Sequence, residues 1–282
     1  MQPITSLFDI SENYKAIFCD VWGVVHNGVT PFDDGVKALM AARAAGVKVV
    51  LVTNAPRPFQ SVVDQLGEIG VDPACYDAIV TSGDVTRGLI EKAAPKILHI
   101  GSTKEAVLFD GLKVDLVGEA DAKTVVVTGL NNDDVETPQD YAPQLARFKA
   151  RNIPMICANP DITVHRGDRL AWCGGALAQE YAAIGGLTSI AGKPHHLIYE
   201  AAHKMANELT GKALLKSEIL AIGDGLFTDI KGAHDYGIDA LYVAAGVHVH
   251  EYATEGDIDE NAMQTFVSGH GYFPVASVSR LK

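Results

Sequence analysis

The chain has 282 residues and a formal net charge of −12, with 48% hydrophobic and 21% charged residues. It is long enough to bury a sizeable core without disulfide or metal staples, as one large domain or two moderate ones. An acidic chain without a basic block is poorly suited to nucleic acid or to an anionic membrane surface. We therefore expect neither partner, and any anion must bind at one local site.

The N-terminal residues and the cysteines favour a cytoplasmic protein. Residues 1–13 carry no basic region followed by an apolar stretch, and no apolar run approaches the ~20 residues of a membrane helix. No pair of cysteines forms a C-x-x-C motif, and buried free thiols are predicted for Cys19, Cys75, Cys157 and Cys173. A reducing, cytoplasmic setting follows from this usage.

Short, continuously apolar runs alternate with segments of helical periodicity. Strands are predicted at 16–19, 47–53, 78–81, 97–100, 124–128, 153–157, 219–222 and 240–243. Between them, predicted helices end at Gly46, Gly70 and Gly211, and Asp33 and Asp34 would cap the first of these helices. Continuous apolar strands are typical of a parallel sheet buried on both faces, so the predicted fold class is α/β.

Short polar residues follow several predicted strands, where open parallel sheets bind their ligands. Asp20 follows the first strand, Thr53 and Asn54 follow the second, and Asp224 follows a later one, with Asp229 five residues on. Helix capping would account for any one of these residues. It accounts poorly for the set, because the segment after the first strand is not a helix start.

Four segments resemble, in order, the motifs of the haloacid dehalogenase (HAD) superfamily. They are DVWGVVHNG at 20–28, VTN at 52–54, GKP at 192–194 and GDGLFTDI at 223–230. A long gap separates the second from the third, where class II members of the superfamily insert a cap domain. The segments ANPD at 158–161 and GGAL at 174–177 are similar to the class IIA cap group. That group contains the sugar-phosphate and pyridoxal-phosphate phosphatases.

This resemblance implies a doubly wound, Rossmann-like parallel-sheet core interrupted by a smaller α/β cap domain. The implied bounds are 1–86 and 187–282 for the two parts of the core and 87–186 for the cap. Movement of the cap would exclude water and select the substrate. The resemblance also implies a homodimer formed through the caps. Residues 251–282 are less periodic, and no element is predicted there.

The implied function is magnesium-dependent hydrolysis of a small phosphorylated metabolite, such as a sugar phosphate, through an aspartyl-phosphate intermediate. Asp20 would be the nucleophile. Neighbouring carboxylates favour a cation, because they cannot all stay ionised without one, and oxygen ligands suit Mg²⁺. The resemblance implies Asp20, the backbone carbonyl of Trp22 and Asp224 as its ligands. Asp229 would act through a water molecule or as a partner of Lys193.

The same resemblance assigns the residues that contact the phosphoryl group. Thr53 would donate its hydroxyl to the phosphoryl oxygens, and the backbone N–H of Asn54 would add a second hydrogen bond. Lys193 would neutralise charge on the nucleophile and on the transferring group. Asn159, placed on the cap edge, would contact the substrate. The alternative for Asn159 is a plain Asn-Pro-Asp turn, which these residues form readily.

The first motif departs from the phosphatase pattern at Trp22. Phosphatases of the superfamily carry a second Asp two residues after the nucleophile, which protonates the leaving group and then activates water. An indole N–H only donates and exchanges no proton at neutral pH. Losing such a general acid and base costs about 10²–10⁴ in rate. Metal binding should survive, because this position contributes its backbone carbonyl.

Several interpretations of this departure stay open. The protein would be a slow phosphatase, one specialised for good leaving groups, or one with a proton donor from elsewhere. His26 is the nearest candidate donor, although a histidine without a catalytic role is the favoured interpretation. The alternative function is a phosphometabolite-binding protein with little or no turnover. A dehalogenase ranks last, because that branch works without a metal. His248 and His250 would share one face if they lay on a strand, but two ligands do not make a metal site, and this segment is expected to be a loop after the last core strand.

Overall fold

The computed structural model of the chain describes residues 1–166, 169–254 and 257–282. In these residues the strands are β1 (Gln2–Pro3), β2 (Ala16–Cys19), β3 (Lys48–Thr53), β4 (Ala78–Thr81), β5 (Lys96–Ile100), β6 (Asp115–Leu116), β7 (Thr124–Val127), β8 (Met155–Cys157), β9 (Thr163–Arg166), β10 (Arg169–Trp172), β11 (Thr188–Ile190), β12 (Ile219–Gly223), β13 (Asp239–Val243), β14 (Ala253–Thr254), β15 (Asp257–Ile258) and β16 (Ala276–Val278). The helices are α1 (Phe8–Ser11), α2 (Asp33–Ala44), α3 (Phe59–Ile69), α4 (Ser82–Ile90), α5 (Ala142–Ala150), α6 (Gly174–Ala183), α7 (His196–Thr210), α8 (Lys231–Tyr236) and α9 (Glu260–Gly269).

The described residues form two compact units. Unit 1 consists of Met1–Thr53, Val63–Val80 and Lys193–Lys282, and unit 2 of Asn54–Val62 and Thr81–Gly192. Among the helices of the described part, none combines the length and the apolarity that a membrane crossing requires.

Unit 1 is built on a sheet with the strand order β1-β16-β13-β12-β2-β3-β4. The strands from β1 to β3 in this order pair in parallel, so the predicted α/β fold with a parallel sheet is confirmed. Ile17 of β2 lies in register with Val49 of β3 and Leu220 of β12. Because β2 is central, the carboxyl ends of β2, β3 and β12 are neighbours. The residues that follow these three strands therefore meet at one edge of the sheet.

The helices predicted from periodicity are present, with one correction at a helix start. Asp33 and Asp34 do not cap α2: they lie in its first turn, and Phe32 precedes them without a side-chain hydrogen bond to the helix. Their carboxylates instead complement the positive end of the helix dipole. The predicted end of α7 is confirmed at Gly211, whose left-handed φ of 67° favours glycine.

Unit 2 has a sheet of its own, with the parallel strand order β11-β8-β7-β5-β6. One face is covered by Phe148 of α5 and by Leu177 and Tyr181 of α6. Ile90 of α4 and Phe109 belong to a second apolar cluster, which also contains residues of β5, β7 and β8. The strands β9 and β10 form an antiparallel pair outside this sheet. Unit 2 therefore has an α/β core separate from that of unit 1.

Candidate active site

Three buried carboxylates converge at the carboxyl edge of the unit 1 sheet. Asp20 follows β2 and Asp224 follows β12, while Asp229 lies in a π-helical turn, Leu226–Ile230. One carboxylate oxygen of each lies within 4.8 Å of the others. Their exposed fractions are 8%, 7% and 4% respectively, so water screens their mutual repulsion poorly. The structure thus brings together the three acidic residues predicted as metal ligands.

Lys193 joins this cluster from the residue at which the chain re-enters unit 1. Its Nζ donates to Asp20 Oδ1, to Asp229 Oδ1 at 2.7 Å and to the Val52 carbonyl at 3.0 Å. Burial alone would lower the pKa of Lys193, but the carboxylates of Asp20 and Asp229 raise it well above its ordinary value. The side chain therefore stays an ammonium and bridges the two carboxylates.

The cluster carries more negative charge than Lys193 balances. Burial raises the pKa of Asp20 well above its ordinary value, Lys193 opposes this shift, and Asp229 and Asp224 add to it. Burial and then the nearby Asp229 raise the pKa of Asp224 to about 7, although the Val247 N–H donates to its Oδ2 at 2.8 Å. A divalent cation would remove the excess negative charge and keep all three groups ionised.

The donor set fits a hard cation such as Mg²⁺. Carboxylate and carbonyl oxygens are the protein ligands that Mg²⁺ and Ca²⁺ take. Among the described residues, no backbone N–H donates to the Trp22 carbonyl, which therefore has a free lone pair for a metal. Two glycines leave the space that the Asp224 side chain occupies. A Cβ atom added at Gly23 would lie 2.3 Å from Asp224 Oδ2, and a Cβ atom added at Gly246 would lie 2.1 Å from Asp224 Cβ.

The residues predicted to contact the phosphoryl group fall in both units. Thr53, at the end of β3 in unit 1, is 8% exposed, and Asn54, the first residue of unit 2, is 7% exposed. The Asn54 amide donates to Asp161 Oδ1 at 2.8 Å, while Asn159 Oδ1 accepts the N–H of Asp161 at 3.2 Å. Asn159 thus makes the turn that was the alternative to substrate binding. Its predicted contact with substrate stays a prediction.

Trp22 occupies the position of the missing second Asp and is held by two neighbours. Its ring meets the His26 ring edge-on, with centroids 5.2 Å apart, and a Cβ at Gly28 would lie 2.4 Å from its Cη2. His26 is 2% exposed, and its Nδ1 accepts the Gly28 N–H at 2.8 Å. Burial lowers the pKa of His26 to about 4. His26 is therefore neutral at pH 7 and packs against Trp22; it is not a protonated imidazolium that could act as a general acid.

His248 and His250 lie in the segment after β13, where the sequence predicts a loop. His248 precedes a 3₁₀ turn, Val249–Glu251, so the two side chains do not share a strand face. The His248 ring instead packs against Phe227 and Phe266, with centroids 5.5 and 5.6 Å away. Neither histidine belongs to the carboxylate cluster.

The contacts of Asp224 include two residues that the sequence did not indicate. The Val247 N–H donates to Asp224, and Gly246 packs against it. Both lie in the loop after β13, the strand beside β12. One feature of the sequence could have identified this loop: Gly246 lies just beyond the carboxyl end of a strand, where ligands of such sheets bind.

Known proteins resemble this chain over most of its length. Residues 17–115 match a family model described as Haloacid dehalogenase-like hydrolase, and residues 190–266 match one described as HAD-hydrolase-like. A crystal structure of a haloacid dehalogenase-like family hydrolase from Brucella suis 1330 is 52% identical in sequence. It aligns with a TM-score of 0.89 and covers 99% of this chain and 100% of that one.

Two more distant relatives have named activities. The 5'-nucleotidase YutF of Bacillus subtilis is 26% identical over 250 residues, which are 86% of this chain and 92% of the relative. The glycerol phosphate phosphatase Rv1692 of Mycobacterium tuberculosis, solved in complex with magnesium, is also 26% identical. It aligns with a TM-score of 0.64 and covers 86% of this chain and 71% of that one. The same phosphatase was solved with calcium.

Proposed function

The chain belongs to the haloacid dehalogenase-like hydrolase family, and we propose that it is a magnesium-dependent phosphatase of a small phosphorylated metabolite. The observation that carries the proposal is the buried cluster of Asp20, Asp224 and Asp229 together with the bridging Lys193. Phosphoryl transfer needs positioning and charge neutralisation above all, and this cluster supplies both. The relatives named for phosphatase and nucleotidase activities support the same class of reaction.

The metal would be held by Asp20, Asp224, Asp229 and the backbone carbonyl of Trp22, directly or through water. When bound, Mg²⁺ supplies charge neutralisation for the phosphoryl oxygens and for the carboxylates around them. The related phosphatase solved with magnesium and with calcium supports a divalent ion. A cation here also accounts for the closeness of the three carboxylates in a buried site.

The proposed reaction has two covalent steps at Asp20. A carboxylate oxygen of Asp20 attacks phosphorus, and the bond from phosphorus to the ester oxygen breaks with its electron pair on that oxygen, which takes up a proton from solvent as the aspartyl phosphate forms. Lys193, fixed by the Val52 carbonyl, orients Asp20 and balances charge in the transition state. The Thr53 hydroxyl and the Asn54 N–H donate to the phosphoryl oxygens. Water then attacks phosphorus and loses a proton to solvent, the bond from phosphorus to the Asp20 oxygen breaks, and inorganic phosphate leaves with the Asp20 carboxylate restored.

A second candidate function is supported by the departure at Trp22. The indole exchanges no proton, and its neighbour His26 is buried and neutral at pH 7. A protein with this site would bind a phosphometabolite and turn it over slowly or not at all. Binding without turnover would appear as thermal stabilisation by the ligand, with no phosphate released.

Three further features belong to this proposal. Unit 2 serves as the cap, which its separate α/β core supports. The protein forms a homodimer through the caps, which gel filtration with light scattering would test. It works in the cytoplasm, and its four cysteines, which are buried thiols as predicted, are in keeping with a reducing compartment.

The test is phosphate release across a panel of sugar phosphates, nucleotides and glycerol phosphates, with an aryl phosphate included. Each compound is assayed with Mg²⁺ and with EDTA, and Asp20→Asn serves as the matched blank because it keeps the volume of the side chain. We expect turnover that needs both Mg²⁺ and Asp20. Thermal stabilisation by the same compounds without release of phosphate would instead favour the binding protein.

A further inference from the structure

Trp22 is a large apolar side chain fixed in place with part of its ring in solvent. It is 36% exposed, while His26 supports one edge and Gly28 lies against its Cη2. The next residue, Gly23, packs directly against the carboxylate of Asp224. The backbone that carries the indole is therefore part of the carboxylate site.

The indole also changes which leaving groups can depart. An alkoxide is about as basic as hydroxide and is a poor leaving group, whereas a phenol-type hydroxyl is far more acidic, with a pKa of about 10. An alkyl ester therefore needs a general acid, and an aryl ester can leave as the free anion. The side chain in the acid position, Trp22, donates no proton at neutral pH. Without that acid, the more acidic leaving groups are favoured by the chemistry of this chain.

We propose that Trp22 is a specificity-determining residue that selects phosphate monoesters of planar aromatic hydroxyl compounds, stacking on the leaving group. This inference rests on the proposed function and names its substrate class. Aromatic rings stack in offset or edge-on pairs, and one such pair strengthens binding roughly 2- to 10-fold. The same side chain thus withholds the acid that alkyl esters need and adds a surface that aromatic esters use.

The step balances without a proton donor. An Asp20 oxygen bonds to phosphorus, and the bond from phosphorus to the aryl oxygen breaks with its electron pair on that oxygen. The aryloxide leaves and takes its proton from bulk water. Water then attacks the phosphorus of the aspartyl phosphate, loses a proton to solvent, and releases inorganic phosphate and the Asp20 carboxylate.

The kinetic test separates the acidity of the leaving group from the presence of a ring. The substrates are phenyl phosphate, acetyl phosphate, 2-phenylethyl phosphate and ethyl phosphate, with Asp20→Asn as the blank. We expect phenyl phosphate to exceed 2-phenylethyl phosphate in kcat/KM by about 10²-fold or more. Trp22→Asp should raise kcat for the two alkyl esters by about 10²-fold or more. Trp22→Leu should raise KM for phenyl phosphate more than KM for acetyl phosphate, so that the ratio of the two KM values changes roughly 2- to 10-fold.

A binding readout tests the stacking without turnover. The chain has two tryptophans, and Trp172 packs against the unit 2 core, so Trp172→Phe leaves Trp22 as the single indole reporter. We expect phenylphosphonate to change Trp22 fluorescence and to bind roughly 2- to 10-fold more tightly than methylphosphonate. Trp22→Leu, followed by calorimetry, should remove that preference. The melting temperature of each variant shows that it is folded.

The outcomes distinguish this inference from the function on which it rests. If alkyl esters are turned over as fast as phenyl phosphate, or if Trp22→Leu changes nothing, the protein is a phosphatase and the inference is wrong. If no ester is turned over above the Asp20→Asn blank, the proposed function fails, and the substrate class fails with it. Equal binding of the two phosphonates would show that Trp22 does not stack on the ring. The inference would then be wrong, while the proposed phosphatase function would stand.

Discussion

Lys193 is the positive charge that permits buried carboxylates to lie so close together. Replacing it by Met keeps an unbranched side chain one atom shorter but leaves Asp20 and Asp229 close together without a counter-ion. Removing one partner of a buried ion pair costs about 3–5 kcal/mol. We expect Lys193→Met to lower the free energy of unfolding by about that amount in urea titrations with EDTA.

The matched control for this change is another lysine. Lys204 is 81% exposed in α7 and lies 3.9 Å from Glu208. Surface pairs of this kind contribute about 0–1 kcal/mol, so Lys204→Met should leave stability almost unchanged. Equal effects of the two variants would show that the buried contacts of Lys193 do not stabilise the fold.

The raised pKa of Asp224 predicts that the free energy of unfolding of the metal-free protein depends on pH. Burial raises its pKa from 3.8 to about 7, so the folded state holds a proton that the unfolded state has lost. The contribution of Asp224 to the free energy of unfolding therefore falls as pH rises from about 4 to about 7. His26 has the opposite sign, because burial lowers its pKa to about 4.

Comparing the stability of Asp224→Asn with that of the parent protein separates the contribution of Asp224 from that of His26, which both proteins contain. In EDTA, we expect Asp224→Asn to gain stability relative to the parent protein as pH rises through that window. Saturating Mg²⁺ should reverse the gain, because only the parent binds the ion with a carboxylate here. A stability difference that does not change with pH would contradict the raised pKa of Asp224.

The loop after β13 supports the metal site from a neighbouring strand. A Cβ at Gly246 would lie 2.1 Å from the Cβ and Oδ2 of Asp224, so Gly246→Ala must displace either the loop or the carboxylate. We expect the Kd for Mg²⁺ to rise about tenfold, equivalent to about 1.4 kcal/mol, in calorimetric titrations.

Gly67 offers the control for this substitution. It lies inside α3, and a Cβ added there would have no heavy atom within 4 Å, so Gly67→Ala meets no steric barrier. It should stabilise the helix by about 0.5–1 kcal/mol and leave the Kd for Mg²⁺ unchanged. An unaltered Kd for Mg²⁺ in Gly246→Ala would show that the loop after β13 does not support the metal site.

The sequence predicted the central elements because their signals are local. β2, β3 and β12 are continuous apolar runs, and Asp20 and Asp224 follow two of them directly. Parallel pairing then brings the ends of these strands together without any further information. The same reasoning could not order the strands, since strand order depends on contacts between distant segments.

The elements that were missed depend on tertiary contacts. β16 has three residues and forms only by pairing with β13 and β1, so its periodicity is too short to detect. The bond from Val247 to Asp224 likewise joins residues 23 apart in the chain. Local patterns carry no record of such partners.

The net negative charge of the whole molecule repels an anionic substrate, although the proposed active site binds it. Its formal net charge is −12, and a phosphate monoester is an anion at neutral pH. Added salt screens this long-range repulsion, while the contacts in the buried site are screened much less. We expect kcat/KM to rise as KCl increases at a fixed concentration of Mg²⁺. Sodium acetate at equal ionic strength is the control, and a steep fall with both salts would indicate that local attraction dominates.

The proposed activity of the whole molecule depends on the covalent step on Asp20, and an acid-quenched reaction would trap its intermediate. Because Trp22 supplies no base for the second step, the aspartyl phosphate should accumulate with phenyl phosphate and Mg²⁺. Mass spectrometry of the quenched protein should then find one added phosphoryl group, on the peptide that contains Asp20, and none in Asp20→Asn. Turnover without this adduct, or the same adduct in Asp20→Asn, would show that Asp20 is not the nucleophile.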